Sequence, residues 1–194
     1  MIEIAQPAMG LNSTHDHHIH VQMWNTWDVA AIKSASDVVE WVRSVALGAP
    51  GGKLKNLVFS CHGAPARIAI GTGIRTADIP LFGRWVENGR PLVEKVWFRC
   101  CRVAFITPAP GGTGVAAGGD GNVFCSSLAK AAKCYVVAST ELQIGTVGRT
   151  LPFGKIDSFE GLVLSYGPGG DVTWSHRYPS GWQQGGGNWH QNPD

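Results

Sequence analysis

Two continuous apolar runs constrain the fold of this chain more than any other feature. NLVFSC spans residues 56–61 and KVWFRC spans residues 95–100. Apolar runs of this length without polar alternation are typical of strands covered on both faces, as in a parallel sheet. The first run is followed by His62 and Gly63, and the second by Cys101. Two parallel strands need a crossover between them, so the fold must alternate strands with longer connections.

Helical and strand patterns do alternate along the chain. Ser36 is the expected N-cap of a helix whose apolar face includes Val38 and Val42 at helical spacing. This order predicts right-handed βαβ units, hence an α/β fold. We predict a three-layer sandwich, with a mostly parallel central sheet, helices on both faces and a C-terminal β-hairpin. The predicted elements are strands at 17–25, 56–61, 95–100 and 134–140, helices at 34–47, 79–89 and 122–133, and a hairpin turning at 167–170.

Composition limits the class of protein. The 194 residues are 44 % hydrophobic and 15 % charged, a globular balance. We predict one domain at residues 1–180 and a mobile Gly-, Trp- and Gln-rich tail at 181–194. A net charge of +2 gives no indication of a nucleic-acid partner. No apolar run approaches the roughly 20 residues that span a bilayer, so no membrane partner is predicted.

The cysteines and the N-terminus bear on location. Five cysteines is an odd number, which favours free thiols in a reducing compartment over a disulfide framework. The N-terminus lacks a basic stretch followed by an apolar one, so no signal peptide is visible. The sequence therefore predicts a cytoplasmic protein, with export by a specialised secretion system as the alternative. No pattern indicates a cofactor or an oligomeric state.

The two apolar runs place reactive side chains at one edge of the predicted sheet. Ligands of parallel sheets bind beyond the carboxyl ends of the strands, where His62 and Cys101 are expected. These residues are 39 positions apart, enough for one crossover between neighbouring strands. A thiolate attacks carbonyl carbon, and a nearby imidazole promotes its formation. Gly63 can turn sharply and direct its N–H at a developing oxyanion.

The choice between two adjacent thiols stays open at this point. Successive residues of a strand point to opposite faces, and Cys100 shares the face of Phe98. Alternation alone leaves both thiols as candidates; the family resemblance described below favours Cys101 as the nucleophile, with Cys100 as the alternative. Cys61 precedes the histidine, where a disulfide with Cys100 or Cys101 is conceivable under oxidation.

Three motifs resemble the caspase-like fold of clan CD cysteine peptidases. They are LVFSCHGAPARIAIG, VWFRCCRVAF and FCSSLAKAAKCYVVAST. The family pattern is an apolar strand ending in His-Gly, then an apolar strand ending in Cys. The chain is also similar to a caspase-like domain of large bacterial surface proteins, with Ser-His-Gly, Cys-Asn-Val-Ala and Val-Ala-Ala-Ser motifs. The likeness spans residues 38–140, and its matching segments are 62–63, 68–71, 101–104 and 136–139.

The resemblance implies a peptidase mechanism. His62 would be the general acid–base and Cys101 the nucleophile. The N–H groups of Gly63 and Cys101 would form the oxyanion hole. The substrate would be a peptide or protein, cleaved through an acyl-enzyme by a cysteine endopeptidase without a cofactor. A bacterial effector or toxin is one expected role, and a housekeeping role is the alternative.

The chain departs from caspases beside the nucleophile. Caspases carry Gln-Ala-Cys followed by Arg, Gln or Gly and then Gly. Residues 99–103 are Arg-Cys-Cys-Arg-Val, without the Gln or the final Gly. Aspartate specificity is therefore not implied. The alternative function is a catalytically inactive caspase-like domain that binds a protein partner.

Further candidates lie at the ends of other predicted elements. Ser139 and Thr140 end the strand at 134–140, and Asp120 lies near the end of a Gly-rich loop at 106–121. We predict that these three line the substrate pocket, over which the loop closes. A loop of this length inside a domain is usually functional.

An N-terminal histidine cluster offers a different chemistry. The sequence HDHHIH covers residues 15–20. On a strand, alternation would place Asp16, His18 and His20 on one face. Such a set suits zinc or a similar metal, so a metal site is a third hypothesis.

Overall fold

Strands and helices cover most of the described residues, which in the computed structural model are 1–14, 19–105, 119–144 and 148–179. The predicted tail at 181–194 and most of the Gly-rich loop lie outside these ranges. The helices are α1 (Ala35–Gly48), α2 (Gly121–Ala132) and the 3₁₀ segments Pro50–Gly52 and Thr76–Trp85. The strands are β1 (Ile2–Glu3), β2 (Ala8–Ser13), β3 (Asn25–Val29), β4 (Leu54–Ser60), β5 (Gly63–Ala64), β6 (Arg67–Ile68), β7 (Ile74–Arg75), β8 (Val86–Glu87), β9 (Arg90–Pro91), β10 (Val93–Arg99), β11 (Tyr135–Ser139), β12 (Lys155–Ile156), β13 (Gly161–Tyr166) and β14 (Val172–Tyr178).

A seven-stranded mixed sheet organises the fold, in the order β14-β13-β11-β10-β4-β2-β3. The five strands from β3 to β11 are mutually parallel. β13 runs antiparallel to β11, and β14 antiparallel to β13. The predicted α/β class, the largely parallel sheet and the C-terminal hairpin are therefore confirmed. The hairpin turns where the Gly170 N–H donates to the Gly167 carbonyl, 2.7 Å away.

The described helices pack on one face of the sheet, called here the helical face. Alternate residues of the central strands, such as Phe59 and Phe98, point into this layer, and their rings are 5.3 Å apart. The helical side chains that share this core include Val38, Val39 and Val42 from α1, Phe82 and Trp85 from the 3₁₀ segment 76–85, and Phe124 and Leu128 from α2.

The opposite face, called here the open face, is covered by irregular chain and by the short β1–β12 pair. Val21 and Met23 pack there with Val58 and Phe159. Buried Asn12 fixes this covering, because its side chain accepts from the Val21 N–H at 2.9 Å and donates to the Val21 carbonyl at 3.1 Å. No helix of the described residues contributes to this second core.

Among the described residues, the prediction of helices on both faces is therefore wrong, and the handedness of crossovers explains why. From β3 to β4, β10 and β11 the chain moves across the sheet in one direction. Right-handed crossovers that move in one direction all lie on the same face. Only the connection from β2 to β3 moves the other way, and its described residues 19–24 lie on the open face as irregular chain.

The N-terminal strand prediction at 17–25 is also wrong. Residues 17–18 lie outside the described ranges, and residues 21–24 are irregular chain. The parallel strands there are β2 and β3 instead. The sequence AMGLNS of β2 gives a weak strand signal because it carries a glycine and two small polar residues, yet all six residues are buried.

Local chemistry explains two further differences. The predicted helix at 79–89 is the 3₁₀ segment Thr76–Trp85, which contains Pro80 and Gly83, followed by the β8–β9 hairpin. The N-cap of α1 is Ser34 rather than Ser36. Ser34 Oγ accepts from the Asp37 N–H at 3.1 Å, and the Asp37 carboxylate accepts from the Ser34 N–H at 2.8 Å. This reciprocal pair is a capping box.

The cap assignment is testable with a matched pair of variants. Ser34→Ala should lower the free energy of unfolding by about 1 kcal/mol, because it leaves an N-terminal N–H of α1 without its acceptor. Ser36→Ala should change it by less than about 0.5 kcal/mol, because Ser36 Oγ takes no part in the cap and accepts from the exposed Arg84 side chain at 3.1 Å. Urea denaturation followed by circular dichroism measures both. A larger loss for Ser36→Ala would contradict the assignment.

Candidate active site

The carboxyl ends of three neighbouring strands meet at one edge of the sheet. The β4–β10 ladder ends at the pair Ser60 and Arg99. The β10–β11 ladder ends one residue earlier, at Phe98 and Ala138. Carrying the β4–β10 register two residues further sets His62 opposite Cys101. The two residues that the sequence singled out therefore follow adjacent strand ends.

Gly63 shows how closely these strand ends pack. A Cβ atom at Gly63 would lie 2.5 Å from the Cys101 carbonyl oxygen and 2.9 Å from the Cys100 Cβ. It would also lie 2.9 Å from Val103 Cγ2. No side chain fits at this point. The residue after His62 is glycine because its backbone lies directly against the backbone of Cys101.

The N–H of Gly63 is directed away from the small hairpin it begins. Gly63 pairs with Ile68 across β5 and β6. The Ala69 N–H donates to the His62 carbonyl at 2.9 Å. In an antiparallel ladder this bond makes Gly63 and Ile68 a non-hydrogen-bonded pair, whose N–H groups point outward. That orientation is compatible with an oxyanion hole, which stays a prediction.

Burial separates the two adjacent thiols. Cys100 is 1 % exposed and belongs to the core of the helical face. Its sulfur lies 3.3 Å from the sulfur of Cys61. Cys101 is only partly buried, and its sulfur contacts Gln143 instead. Of the two, only Cys101 can meet a substrate without unpacking the core.

Gln143 holds the Cys101 sulfur in place. The Gln143 N–H donates to Cys101 Sγ at 3.3 Å. The Gln143 side chain is fixed in turn, because Arg99 Nη1 donates to its Oε1 at 2.6 Å. Its Nε2 donates to the Glu160 carbonyl at 2.9 Å. The segment beside the thiol is therefore anchored by the side chains of Gln143 and Arg99 and by the Glu160 backbone.

Arg99 and Glu160 form a buried ion pair below this segment. Arg99 Nη1 lies 3.8 Å from a Glu160 carboxylate oxygen, and the side chains are 5 % and 9 % exposed. The guanidinium also lies over the Phe159 ring, 5.2 Å from its centroid. A buried charge without a partner is strongly destabilising, so each member of the pair requires the other.

Desolvation dominates the acid–base behaviour of the site. Burial raises the pKa of the Cys101 thiol, and the hydrogen bond from the Gln143 N–H opposes this only in part. Burial likewise raises the pKa of Glu160, against the attraction of Arg99. A raised pKa favours the protonated form of the Cys101 thiol. Nucleophilic attack by its sulfur would need a base to take the proton.

The backbone after Cys101 is strained and tightly held. Arg102 adopts a φ of 54°, in the left-handed region that residues other than glycine rarely occupy. Its N–H donates to the Glu141 carbonyl at 2.9 Å, and the Ala104 N–H donates to the Ser139 carbonyl at 3.1 Å. Such strain persists where the surroundings over-determine the conformation, as often happens at functional sites.

The predicted pocket residues support the strand and helix ends. Ser139 is fully buried and donates to the Glu160 carbonyl at 2.8 Å, so it does not line an open pocket. Thr140 Oγ1 donates to the Leu162 carbonyl at 3.3 Å. Asp120 is the N-cap of α2 and accepts from two N–H groups of its first turn. Pocket roles for Thr140 and Asp120 stay predictions.

The predicted metal site is only partly described. Asp16 and His18 lie outside the described residues. His20 Nε2 lies 2.8 Å from an Asp28 carboxylate oxygen, so its neighbour is a residue that sequence reasoning did not consider. Among the described residues, no group of three or more histidine, cysteine or acidic side chains is placed to hold a metal ion.

Sequence reasoning missed Arg99, Gln143 and Glu160. One signal was available: Arg99 is a charged residue inside an otherwise apolar strand, and a buried charge demands a partner. That partner, Glu160, is 61 positions away, in irregular chain directly before β13. Gln143 lies in irregular chain with no motif. Neither was identifiable before the fold was known.

Two cavities lie on the open face, towards the amino ends of the strands. One, of about 470 Å³, is called here the aromatic groove. The other, of about 560 Å³, shares Lys95, Trp97 and Tyr135 with it. Neither cavity is lined by His62 or Cys101. The aromatic groove is lined by Ile2, Lys95, Trp97, Tyr135, Val137, Phe159, Val163, Ser165, Thr173, Trp174 and Tyr178.

Comparisons do not assign the chain to a family. No protein-family model, curated protein or solved structure matches it. The caspase-like resemblance therefore stays a prediction. Among the described residues, no helix has the length and apolar character needed to cross a membrane.

The contact at Gly63 generates a stability prediction. Gly63→Ala should lower the free energy of unfolding by about 1–3 kcal/mol, because the added methyl group overpacks the strand ends against the Cys101 backbone. Gly48→Ala is the matched control, since its Cβ would meet nothing within 4 Å at the end of α1. That control should be neutral or slightly stabilising. Equal losses in urea denaturation would contradict the packing described here.

Proposed function

We propose that the chain is a cysteine peptidase-like hydrolase in which Cys101 is the nucleophile and His62 the general acid–base. The main support is the packing of Gly63 against the Cys101 carbonyl oxygen, where a Cβ would lie only 2.5 Å away. This contact brings the residue after the histidine against the nucleophile's own backbone. A peptide or protein is the proposed substrate class.

The first half of the reaction forms a thioester. His62 takes the proton from Cys101 Sγ as the sulfur bonds to the carbonyl carbon of the scissile amide. The N–H groups of Gly63 and Cys101 donate to the oxygen that becomes negative. When the tetrahedral intermediate collapses, the C–N bond breaks and His62 returns the proton to the leaving amine.

The second half releases the acid. His62 removes a proton from water, and the resulting oxygen nucleophile attacks the thioester carbonyl. The C–S bond then breaks, and the proton on His62 returns to the Cys101 sulfur. Because burial raises the Cys101 pKa, proton transfer to His62 during attack fits this site better than a preformed thiolate.

Gln143, Arg99 and Glu160 are positioning residues in this proposal. The Gln143 N–H contacts the Cys101 sulfur at 3.3 Å, and the buried ion pair holds the Gln143 side chain. Their effect on the reaction is exerted through the orientation of the thiol. The strained φ of Arg102 is consistent with a backbone held for that purpose.

We infer a caspase-like arrangement for the central strands only. The support is the His-Gly strand end beside the Cys strand end on neighbouring parallel strands. With free thiols at the site, the hydrolase is proposed to act in a reducing compartment. That compartment is the cytoplasm of the cell that makes it, or of a cell into which a specialised system delivers it as an effector or toxin.

A peptide electrophile tests the dyad. A panel of peptidyl acyloxymethyl ketones with varied side chains should label Cys101 near pH 7, mapped by mass spectrometry. His62→Ala should slow labelling by about 10²–10⁴-fold, the usual contribution of a general base. His176→Ala is the matched control, because this histidine is exposed on the edge strand β14. It should label at the original rate.

The pH dependence of the same site gives an independent check. Thiolate is the reactive form, and a raised pKa lowers its fraction at any given pH. The rate of Cys101 alkylation by iodoacetamide should therefore keep rising as the pH passes the ordinary thiol pKa of about 8.5.

Labelling by the electrophile panel at Cys100, or at no cysteine of the native protein, would overturn the proposal.

The aromatic groove supports a second candidate function, a catalytically inactive module that binds a protein partner. Trp174 is 46 % exposed at the wall of this groove, and β14 is exposed along nearly its whole length. Exposed aromatic side chains are enriched at protein interfaces. An exposed edge strand can also pair with an extended peptide.

Peptide binding tests this alternative. Screening a library of extended peptides by tryptophan fluorescence should give ligands whose affinity falls at least tenfold in Trp174→Ala. Cys101→Ala should leave that affinity unchanged, since the groove is not lined by Cys101. If Cys101→Ala abolishes binding and Trp174→Ala does not, the groove is not the binding site.

A further inference from the structure

Cys61 and Cys100 make a contact that the proposed reaction does not use. Their sulfur atoms are 3.3 Å apart, and each residue is 1 % exposed. Cys61 follows β4 directly and Cys100 follows β10 directly, so the contact extends the ladder between these strands by one pair. Two free thiols therefore face each other immediately before His62 and Cys101.

The backbone is suited to a covalent link between them. Neighbouring strands lie about 4.8 Å apart, within the roughly 4.4–6.8 Å between Cα atoms of bonded cysteines. Both sulfurs already point into the same layer, the core of the helical face. Bond formation requires the sulfurs to approach from 3.3 Å to about 2.05 Å.

We propose that Cys61 and Cys100 are a site of reversible disulfide formation by peroxide. In the first step one thiol attacks a peroxide oxygen, the O–O bond breaks, and a sulfenic acid and one water form. In the second step the other thiol attacks the sulfenic sulfur, the S–O bond breaks, and the disulfide and a second water form. The pair loses two electrons, and hydrogen peroxide is reduced to two waters.

A small oxidant is required because of the burial of the pair. Hydrogen peroxide can reach thiols that are 1 % exposed more readily than a bulky disulfide can. Burial and the neighbouring Cys61 raise the pKa of Cys100 well above its ordinary value. Since the thiolate is the reactive form, oxidation is expected to be slow at pH 7 and faster at pH 9.

The link would act on the dyad through Gly63; this consequence rests on the proposed function. The Gly63 backbone has no space to spare against Cys100 Cβ and the Cys101 carbonyl oxygen. Any movement of the strand ends as the sulfurs approach would pass through this contact to His62 and Cys101. The oxidised form is therefore expected to react more slowly with the peptide electrophile.

Mass spectrometry of the full chain tests the disulfide itself. The native protein is treated with hydrogen peroxide at pH 7 and pH 9, blocked with iodoacetamide, unfolded and digested. A loss of two hydrogens, reversed by dithiothreitol, is expected on a peptide pair containing Cys61 and Cys100. Cys100 and Cys101 share one tryptic fragment, so Cys101→Ser is needed, and it should retain the link.

Single substitutions supply the controls. Cys61→Ser and Cys100→Ser should each abolish the link. Cys125→Ser is the matched control, because Cys125 is equally buried in the same core and should not be required. If Cys61 and Cys100 remain alkylatable after unfolding, or if the link survives Cys100→Ser, the proposal is overturned.

Electrophile labelling separates this proposal from the proposed function. Oxidised protein should label at Cys101 at least tenfold more slowly than reduced protein, and dithiothreitol should restore the rate. Equal rates would overturn the coupling. If the disulfide forms but Cys101 never labels, the redox site is supported and the peptidase proposal is overturned. If Cys101 labels but no disulfide forms, the peptidase proposal is supported and the redox site is overturned.

Discussion

The parallel pairing of β4 with β10 is the constraint on which the rest of the site depends. Strands paired in this way end at the same edge of the sheet, so the turns that follow them meet. Their meeting is close: Gly63 leaves no room for a side chain beside the Cys101 carbonyl oxygen. The same pairing brings the sulfurs of Cys61 and Cys100 to 3.3 Å. A slip of this register by one residue would exchange the faces of every side chain involved.

The one-sided placement of the described helices gives the two faces different chemistry. Alternation along β10 directs Phe98 and Cys100 into the helical core, while Trp97 and Arg99 belong to the open face. Cys101 lies two residues after Arg99, and both residues contact Gln143. The partly buried thiol of Cys101 and the aromatic groove thus lie with the open face, while the buried thiols of Cys61 and Cys100 lie in the core of the helical face.

Ordering the residues around Cys101 requires the burial of two charged side chains, Arg99 and Glu160. A buried ion pair gains Coulomb energy only by desolvating both charges, so it is weak evidence for stability. What Arg99 and Glu160 do provide is a fixed location for Gln143, through a 2.6 Å hydrogen bond. The same desolvation raises the pKa of the thiol. The proposed dyad would therefore rely on proton transfer to His62 during attack.

The sequence by itself determined the α/β class, the central strands, the two α-helices and the hairpin, because continuous apolar runs and helical spacing are local signals. It also identified His62 and Cys101 as residues beyond neighbouring strand ends. Only the tertiary structure decided that the described helices share one face, since that follows from the strand order. Likewise, the contacts of Arg99 with Gln143 and Glu160 join residues that are far apart in the chain. Burial, a property of the packed fold alone, separated Cys101 from Cys100.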